Sequence, residues 1–349
     1  MSESPPSTDK LYLSSLSPQE MAEALHLKPF QGRQLFRWIH QKREFDVERM
    51  TDLSKSVRNG LGRSCVTRQL HPVETLHSPQ SGTVKILFRL GDGQTIESVL
   101  LRHGRRVTLC LSTQVGCPVR CAFCATGTSG FRRNLTAGEI VEQALHLLEG
   151  QDIGERTPNI VYMGMGEPFL NYDATVKSIR LLMAPEGLGI GARKITVSTA
   201  GHVPGIYQFA QEGWQVRLSV SLHAANDTLR SSLVPMNHKY PLHRLLDALK
   251  YYVATTGRQI TLEWVLLDGV NDSPEDADEL ALWLEKLKAA VNLIPYNTVS
   301  DFDYTPSPRA VCERFRDALL KHSVAATLRQ ERGQDIEAAC GQLRLRNHP

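Results

Sequence analysis

Apolar and polar positions in this chain alternate with two periods, and the switches between them mark out its elements. From residue 107 onward, short β-branched and leucine-rich runs recur. They are V-T-L-C-L-S (107–112), N-I-V-Y-M (159–163), K-I-T-V-S-T (194–199), V-R-L-S-V-S-L (216–222), Q-I-T-L-E-W-V-L-L (259–267) and V-N-L-I-P-Y (291–296). Between them lie stretches with apolar residues at helical spacing: 137–148, 172–183, 203–211, 241–252 and 275–288. Strand and helix in regular alternation predict βα units and a parallel sheet, either open or curved into a barrel. A late helix (308–321), a strand (324–329) and a terminal helix carrying Cys340 complete the expected elements.

Strand side chains point to opposite faces with period 2. Val107, Leu109 and Leu111 therefore oppose Thr108, Cys110 and Ser112, and Ile195 and Val197 oppose Thr196 and Ser198. Val216, Leu218, Val220 and Leu222 oppose Arg217, Ser219, Ser221 and His223; Ile260, Leu262 and Trp264 oppose Thr261 and Glu263. A parallel strand covered on both faces is expected to be apolar on both, and a closed eight-stranded barrel fills its interior with branched apolar side chains. One apolar and one polar face per strand instead predicts an open barrel around a polar ligand. Cys110, Ser198, Ser221 and His223 would line that cavity. The alternative is that the hydroxyls satisfy one another across the sheet.

The first part of the chain has a different texture. Ser17-Pro18 reads as a helix N-cap and first-turn proline. A second helix is expected near 31–41, and a third in M-T-D-L-S-K-S-V-R-N-G-L, ending at Gly60. Residues 82–101 read as a hairpin around G-D-G. Glu97 lies on its second strand, where a lone glutamate usually faces solvent.

At 349 residues the chain suits a large core and roughly two domains. The expected layout is a disordered tail (1–10), a helical accessory domain (11–75), a β-hairpin linker (76–106), a barrel (107–300) and a C-terminal extension (301–349). No apolar run approaches the ~18 residues of a membrane span, and the N-terminus carries no apolar signal core. A cytoplasmic protein without membrane contact is expected, and in that compartment seven cysteines point to metal or redox chemistry. The net charge is only +3, but no Asp or Glu occurs from Ser98 to Gly138, while Arg102, Arg105, Arg106, Arg120, Arg132 and Arg133 do. That cationic window fits a polyanion such as RNA; scattered surface arginines would look the same.

Inside this window lies Cys117-x-x-x-Cys121-x-x-Cys124. Soft thiolates at such spacing suit zinc or an iron–sulfur cluster. Structural zinc needs a fourth ligand, with Cys110 the nearest candidate. Three cysteines on a four-iron cluster leave one iron open to a small molecule.

The three-cysteine motif, with Phe123 before its last cysteine, resembles that of the radical S-adenosylmethionine (SAM) enzymes. L-C-L-S-T-Q-V-G-C, G-M-G-E-P, S-L-H-A-A-N-D, L-D-G-V-N-D and A-A-C-G-Q-L together resemble the RlmN family of rRNA and tRNA adenine-C2 methyltransferases, over about residues 13–343. The resemblance implies a partial (β/α)6 barrel, an α/β fold, with an N-terminal helical domain and a hairpin extension. It also implies a [4Fe-4S] cluster on Cys117, Cys121 and Cys124. SAM would be held by Gly166, Glu167, Ser198, Ser221, Leu222, His223 and Asn297. By the same resemblance Cys340 carries the methyl group, Glu97 is the base, and Cys110 releases the product through a transient Cys110–Cys340 disulfide. Implied partners are 23S rRNA (adenosine 2503), tRNA (adenosine 37) and a flavodoxin-like electron donor, with the enzyme a monomer. The sister Cfr group, which methylates carbon 8, shares the cluster and both functional cysteines. Pro168 after Glu167 is the RlmN-type residue where the Cfr-type turn has Ala. The third possibility is a non-catalytic zinc-bearing RNA-binding protein.

Overall fold

The structure, a computed structural model, describes residues 10–151, 156–285, 287–330 and 332–345. The tail expected over 1–10 lies outside the described residues except for Lys10. The centre of the molecule is one 10-stranded sheet in which spatial order follows chain order. We number its strands β1 (His71–His77), β2 (Val84–Arg89), β3 (Thr95–His103), β4 (Arg106–Cys110), β5 (Asn159–Tyr162), β6 (Ile195–Thr199), β7 (Arg217–Ser221), β8 (Ile260–Leu266), β9 (Ala289–Pro295) and β10 (Ala326–Leu328). Strands β1 to β4 form an antiparallel meander. From β4 to β10 every pairing is parallel.

Parallel neighbours need crossovers, and helices supply them: Ala137–Leu147, Tyr172–Met183, Val203–Ala210, Leu242–Thr256, Pro274–Leu284 and Arg309–Lys321. These pack on the apolar face predicted by parity. Leu109, Ile160, Val197, Val220, Leu262, Trp264 and Leu293 are fully buried there. At about 1.5–3 kcal/mol for each fully buried large apolar side chain, this face is the main source of cohesion. The result is a partial (β/α)6 barrel whose sheet stays open. No helix among the described residues is long and apolar enough to cross a membrane.

The hairpin is not a separate linker. Its second strand pairs with β4, and its first strand pairs with β1, so the barrel sheet runs on through it. Strand β1 itself was expected to be part of the helical region. Its H-P-V-E-T-L-H has a proline and mostly exposed positions, the signature of an edge strand rather than a core one.

The helical module begins as predicted. Pro18–Ala24 is capped by Ser17 in a capping box with Glu20. The second helix, Pro29–Phe36, relaxes into a π-helical turn, Arg37–Gln41. The third runs Lys55–Ser64, through Gly60 rather than ending there, because continuing buries Leu61. The module docks on the barrel through polar contacts. Ser14 donates to buried Glu142 (2.6 Å), which also accepts the backbone N–H groups of Gln69 and Leu70 (2.7 and 2.9 Å). Lys177 reaches Glu20 at 2.7 Å.

Cys340 does not lie on a terminal helix. Among the described residues after β10 only a short 3-10 turn forms, Gln334–Ile336, and residues 337–345 run irregularly back across the sheet. Gly333, Glu337 and Gly341 all take left-handed backbone angles there, which breaks helical propagation.

Candidate active site

Strand register shows which side chains share the barrel interior, since paired residues on adjacent strands face the same way. Lys85 pairs with Val99, Val99 with Cys110, Cys110 with Val161, and Val161 with Thr196. Ser198 pairs with Ser219, Ser221 with Glu263, Glu263 with Asn292, and Asn292 with Thr327. Glu97, two residues before Val99, falls on the same face. The polar face expected from parity is therefore continuous from β2 to β10. Part of it does satisfy itself: Glu263 accepts from Ser219 Oγ at 2.6 Å and Asn292 Nδ2 at 2.7 Å. The rest opens into two adjoining cavities.

The smaller cavity, about 160 Å³, is bordered by Cys117, Cys121 and Cys124 and by Glu167, Ser221 and His223. Its cysteine loop is pinched shut at the base. Cys117 N–H donates to the Gly130 carbonyl at 3.0 Å, while Gly116 (φ +76°) passes so close that a Cβ would sit 1.7 Å from that oxygen. Only glycine fits both demands. Phe123 packs edge-on against the His223 ring, centroids 4.8 Å apart.

All three loop thiols are free. Burial pushes Cys117 up to about 12 and raises Cys121 and Cys124 as well. Thiols so placed need a cationic group to become thiolates, and an iron–sulfur cluster is such a group. Cys110 is set apart from the three on the strand side of the other cavity, although Cys124 reaches that cavity too. The charge neighbours of Cys110 there are Cys340 and Arg329. The donor set fits a cluster with one open side better than a closed zinc site.

Glu167 is built to meet a cation. It is 3% exposed, and its carboxylate accepts the N–H groups of Ala200 (2.7 Å) and Phe169 (3.1 Å). Burial still pushes it up to about 7, so an ammonium group in the cavity would stabilise the ionised form. Gly166, at φ +106°, lets the turn pass Gln114 where a Cβ would come within 2.6 Å. His223 is held neutral: burial, then Arg230, lowers it to about 3. Its Nδ1 accepts the Val265 N–H at 3.0 Å, which puts the ring proton on Nε2. Its left-handed backbone (φ +62°) is the kind of local strain that persists where the surroundings fix it.

The larger cavity, about 620 Å³, has Cys110 and Cys340 on its wall, with Asn297 and Arg329 beside them and Arg102, Arg106 and Arg332 toward its rim. Burial pushes Cys110 up to about 12; Cys340 adds to this and Arg329 works against it. Arg329 sits beside Cys340, and that neighbour, with smaller help from Glu263 and Cys110, holds the guanidinium above its usual value despite burial.

Three comparisons with known proteins follow the same lines. The family model described as "Radical SAM superfamily" matches residues 111–281, and that described as "Ribosomal RNA large subunit methyltransferase N-terminal domain" matches 13–66. A protein of Geobacillus kaustophilus (strain HTA426), named "Probable dual-specificity RNA methyltransferase RlmN", is 46% identical over 342 residues, covering 98% of this chain and 93% of its own. The chain belongs to the RlmN family. A Bacillus subtilis (strain 168) protein of the same name is 45% identical, covering 91% of this chain and 88% of its own. A crystal structure of a radical SAM methyltransferase from Sphaerobacter thermophilus superposes with a TM-score of 0.92 at 46% identity, covering 96% of this chain and 99% of that one.

As a member of the RlmN family the protein is a radical SAM methyltransferase that uses a [4Fe-4S] cluster and SAM. Of the residues singled out in sequence, the fold gathers Cys117, Cys121, Gly166, Glu167, Ser198, Ser221 and His223 around one cavity and Cys110 and Asn297 around its neighbour, with Cys124 and Cys340 bordering both. Leu222 is not on either wall. Its side chain is fully buried in the core, its N–H bonds the Glu263 carbonyl and its carbonyl accepts from Arg230 Nε. Glu97 is 1% exposed, not solvent-facing, and is paired with Lys85 at 3.2 Å. Sequence reasoning missed Arg329 and Arg230. Arg329 was legible from parity, two residues beyond Thr327 on the interior face. Arg230 carried no signal: it looks like a surface residue of the short helix Asp227–Leu233, yet is fully buried.

Proposed function

We propose that the protein methylates carbon 2 of an adenine in RNA, with 23S rRNA and tRNA as substrates, using Cys340 as methyl carrier and Cys110 as the releasing thiol. The observation that carries this is the meeting of Cys110, Cys340 and Arg329 on one cavity beside the cluster-binding loop. The arginine rim gives the phosphate backbone of a polyanion its counter-charge. A base must leave its stack to enter such a cavity, which favours loop or single-stranded nucleotides.

When bound, the cluster and SAM supply the methyl group and the carbon radical that activates it. This chain's residues do the rest. The Cys340 sulfur holds the single carbon while it becomes bonded to carbon 2, leaving protein and RNA joined. Glu97 takes the carbon 2 proton as the adduct gives up the one unpaired electron left by radical addition, for which the bound cluster would be the acceptor. The Cys110 thiolate then attacks the Cys340 sulfur: an S–S bond forms, the S–C bond breaks, and its electron pair stays on the departing carbon, which takes a proton to become methyl. Reduction of the disulfide resets the site. Arg329 offers its positive charge to both sulfurs during this exchange.

The test is anaerobic incubation of the cluster-loaded enzyme with SAM, a reductant and unmodified 23S rRNA or tRNA, followed by nucleoside analysis. 2-Methyladenosine from the wild type and none from Cys340→Ala is the expected result. 8-Methyladenosine would assign the Cfr-type regiochemistry instead, and no methyladenosine on either RNA would overturn the proposal.

A further inference from the structure

The segment that carries Cys340 is stapled at both ends to one buried ion pair. Lys85 and Glu97 sit on neighbouring strands, their side chains 2% and 1% exposed, with Nζ 3.2 Å from Oε1. At one end of the segment, Lys85 Nζ also donates to the carbonyl of Glu337 at 3.0 Å. At the other end, the Arg344 N–H donates to Glu97 Oε2 at 3.0 Å. The segment also closes on itself, since the Arg344 guanidinium meets both Glu337 carboxylate oxygens at 3.2 Å. Residues 337–344 thus form a strap whose two ends rest on one lysine and one glutamate, with Cys340 between them.

A buried lysine inside a sheet needs a reason, because its charge is costly to desolvate unless paired and hydrogen-bonded. An apolar residue at 85 would match its neighbours Val84, Ile86, Leu87 and Phe88, which are all buried and apolar. What lysine adds is a donor that can serve two partners at once, here a carboxylate and the carbonyl of Glu337.

We infer that Lys85 is a positioning residue for methyl release, fixing the Glu97 carboxylate and the Cys340 strap relative to each other so that the base meets carbon 2 of the joined RNA. This rests on Glu97 being the base in the proposed reaction. Lys85 itself touches no reacting atom. Its loss reaches the earlier step, transfer of a methyl group from SAM to Cys340, only through one end of the strap, since the Cys340 carbonyl stays held by Asn297, whereas it unsettles release through Glu97 as well.

The experiment follows the two stages separately in the full-length, cluster-loaded enzyme. Lys85→Met is expected to methylate Cys340 within about twofold of wild type but to release methylated RNA at least about tenfold more slowly, less than the ~100-fold or more that a general base contributes, because Glu97 is misplaced rather than removed. Protein–RNA adduct then accumulates on denaturing gels. Lys85→Arg, which keeps the cation, is expected to restore most of the release. Wild-type partition between adduct and product in Lys85→Met overturns the inference. Glu97→Gln separates the two claims: if it releases product normally, the base assignment is wrong; if it blocks release while Lys85→Met does not, only the role of Lys85 is wrong. Should Lys85→Met not fold, the wild-type chain still decides. Hydrogen–deuterium exchange is expected to be slow at the Arg344 amide, and fast exchange there would show that the strap is not held.

Discussion

Asn297 donates its side-chain amide to the carbonyl oxygen of Cys340 at 3.1 Å and accepts from Gln334 Nε2 at 2.9 Å. The family resemblance makes this residue a SAM contact, yet here its amide group is spent on the segment that carries Cys340. Asn297→Ala removes both bonds. Cys340 methylation from labelled SAM should fall about tenfold, as expected for losing one or two partly buried hydrogen bonds. Equilibrium SAM binding should change less. A larger loss in SAM affinity than in methylation rate would make Asn297 a SAM ligand instead.

The proposed reaction gives the two thiols of the larger cavity separable roles. Cys110→Ala should leave Cys340 free to accept methyl and join RNA but should stop release, so that a protein–RNA adduct persists under denaturing conditions. Cys340→Ala should form no adduct. Cys121→Ala should lose iron, measured after anaerobic reconstitution, and with it all SAM cleavage, while its fold, which rests on the opposite face of the sheet, stays intact by circular dichroism.

Arg230 ties the ends of β6 and β7 to the short helix Met236–Lys239. It donates to the carbonyls of Leu222 (3.1 Å), Ala200 (2.8 Å) and Ser221 (3.3 Å) and to Asn237 Oδ1 (2.8 Å). Lysine has the charge but not the geometry. Arg230→Lys should lower unfolding free energy in urea by about 2–3 kcal/mol, the cost of leaving buried acceptors unpaired. SAM binding should weaken too, because Ala200 also anchors Glu167.

Glu142, under the N-terminal module, is pushed up to about 7 by burial despite four hydrogen-bond donations from Ser14, Gln69 and Leu70. A carboxyl raised from 4.5 binds its proton more tightly in the folded state than in the unfolded one. Its contribution is therefore fully present below about 4.5 and is lost as pH rises through about 7. Glu142→Gln should flatten the pH dependence of the melting temperature between those values. An unchanged slope would show that another group sets it.

Much of the fold was written in the alternation itself. Period-2 runs of apolar residues at Leu109, Val197, Val220 and Leu262 have to pack against helices, and the opposite face, with Cys110, Ser198 and Ser221, has to meet something polar. The cysteine spacing was equally local: three thiols within eight positions must share one loop. The Ser17 cap and the Gly166–Glu167 turn were legible for the same reason, since each acts over a few residues.

What sequence left open was every relation between distant segments. Cys110 and Cys340 lie 230 positions apart, and nothing local says that a strand end and an irregular strap will border one cavity. Glu97 reads as a surface residue because its partners, Lys85 and Arg344, come from another strand and from the far end of the chain. Arg230 reads the same way because its acceptors are carbonyls at the ends of other strands. Side-chain period and ligand spacing are properties of neighbours along the chain, so the sequence by itself determines the barrel, its polar face and the cluster loop. Burial, charge pairing and the resting of the Cys340 segment on Lys85 and Glu97 arise only when the strands assemble around the barrel interior, and the tertiary structure alone decides them.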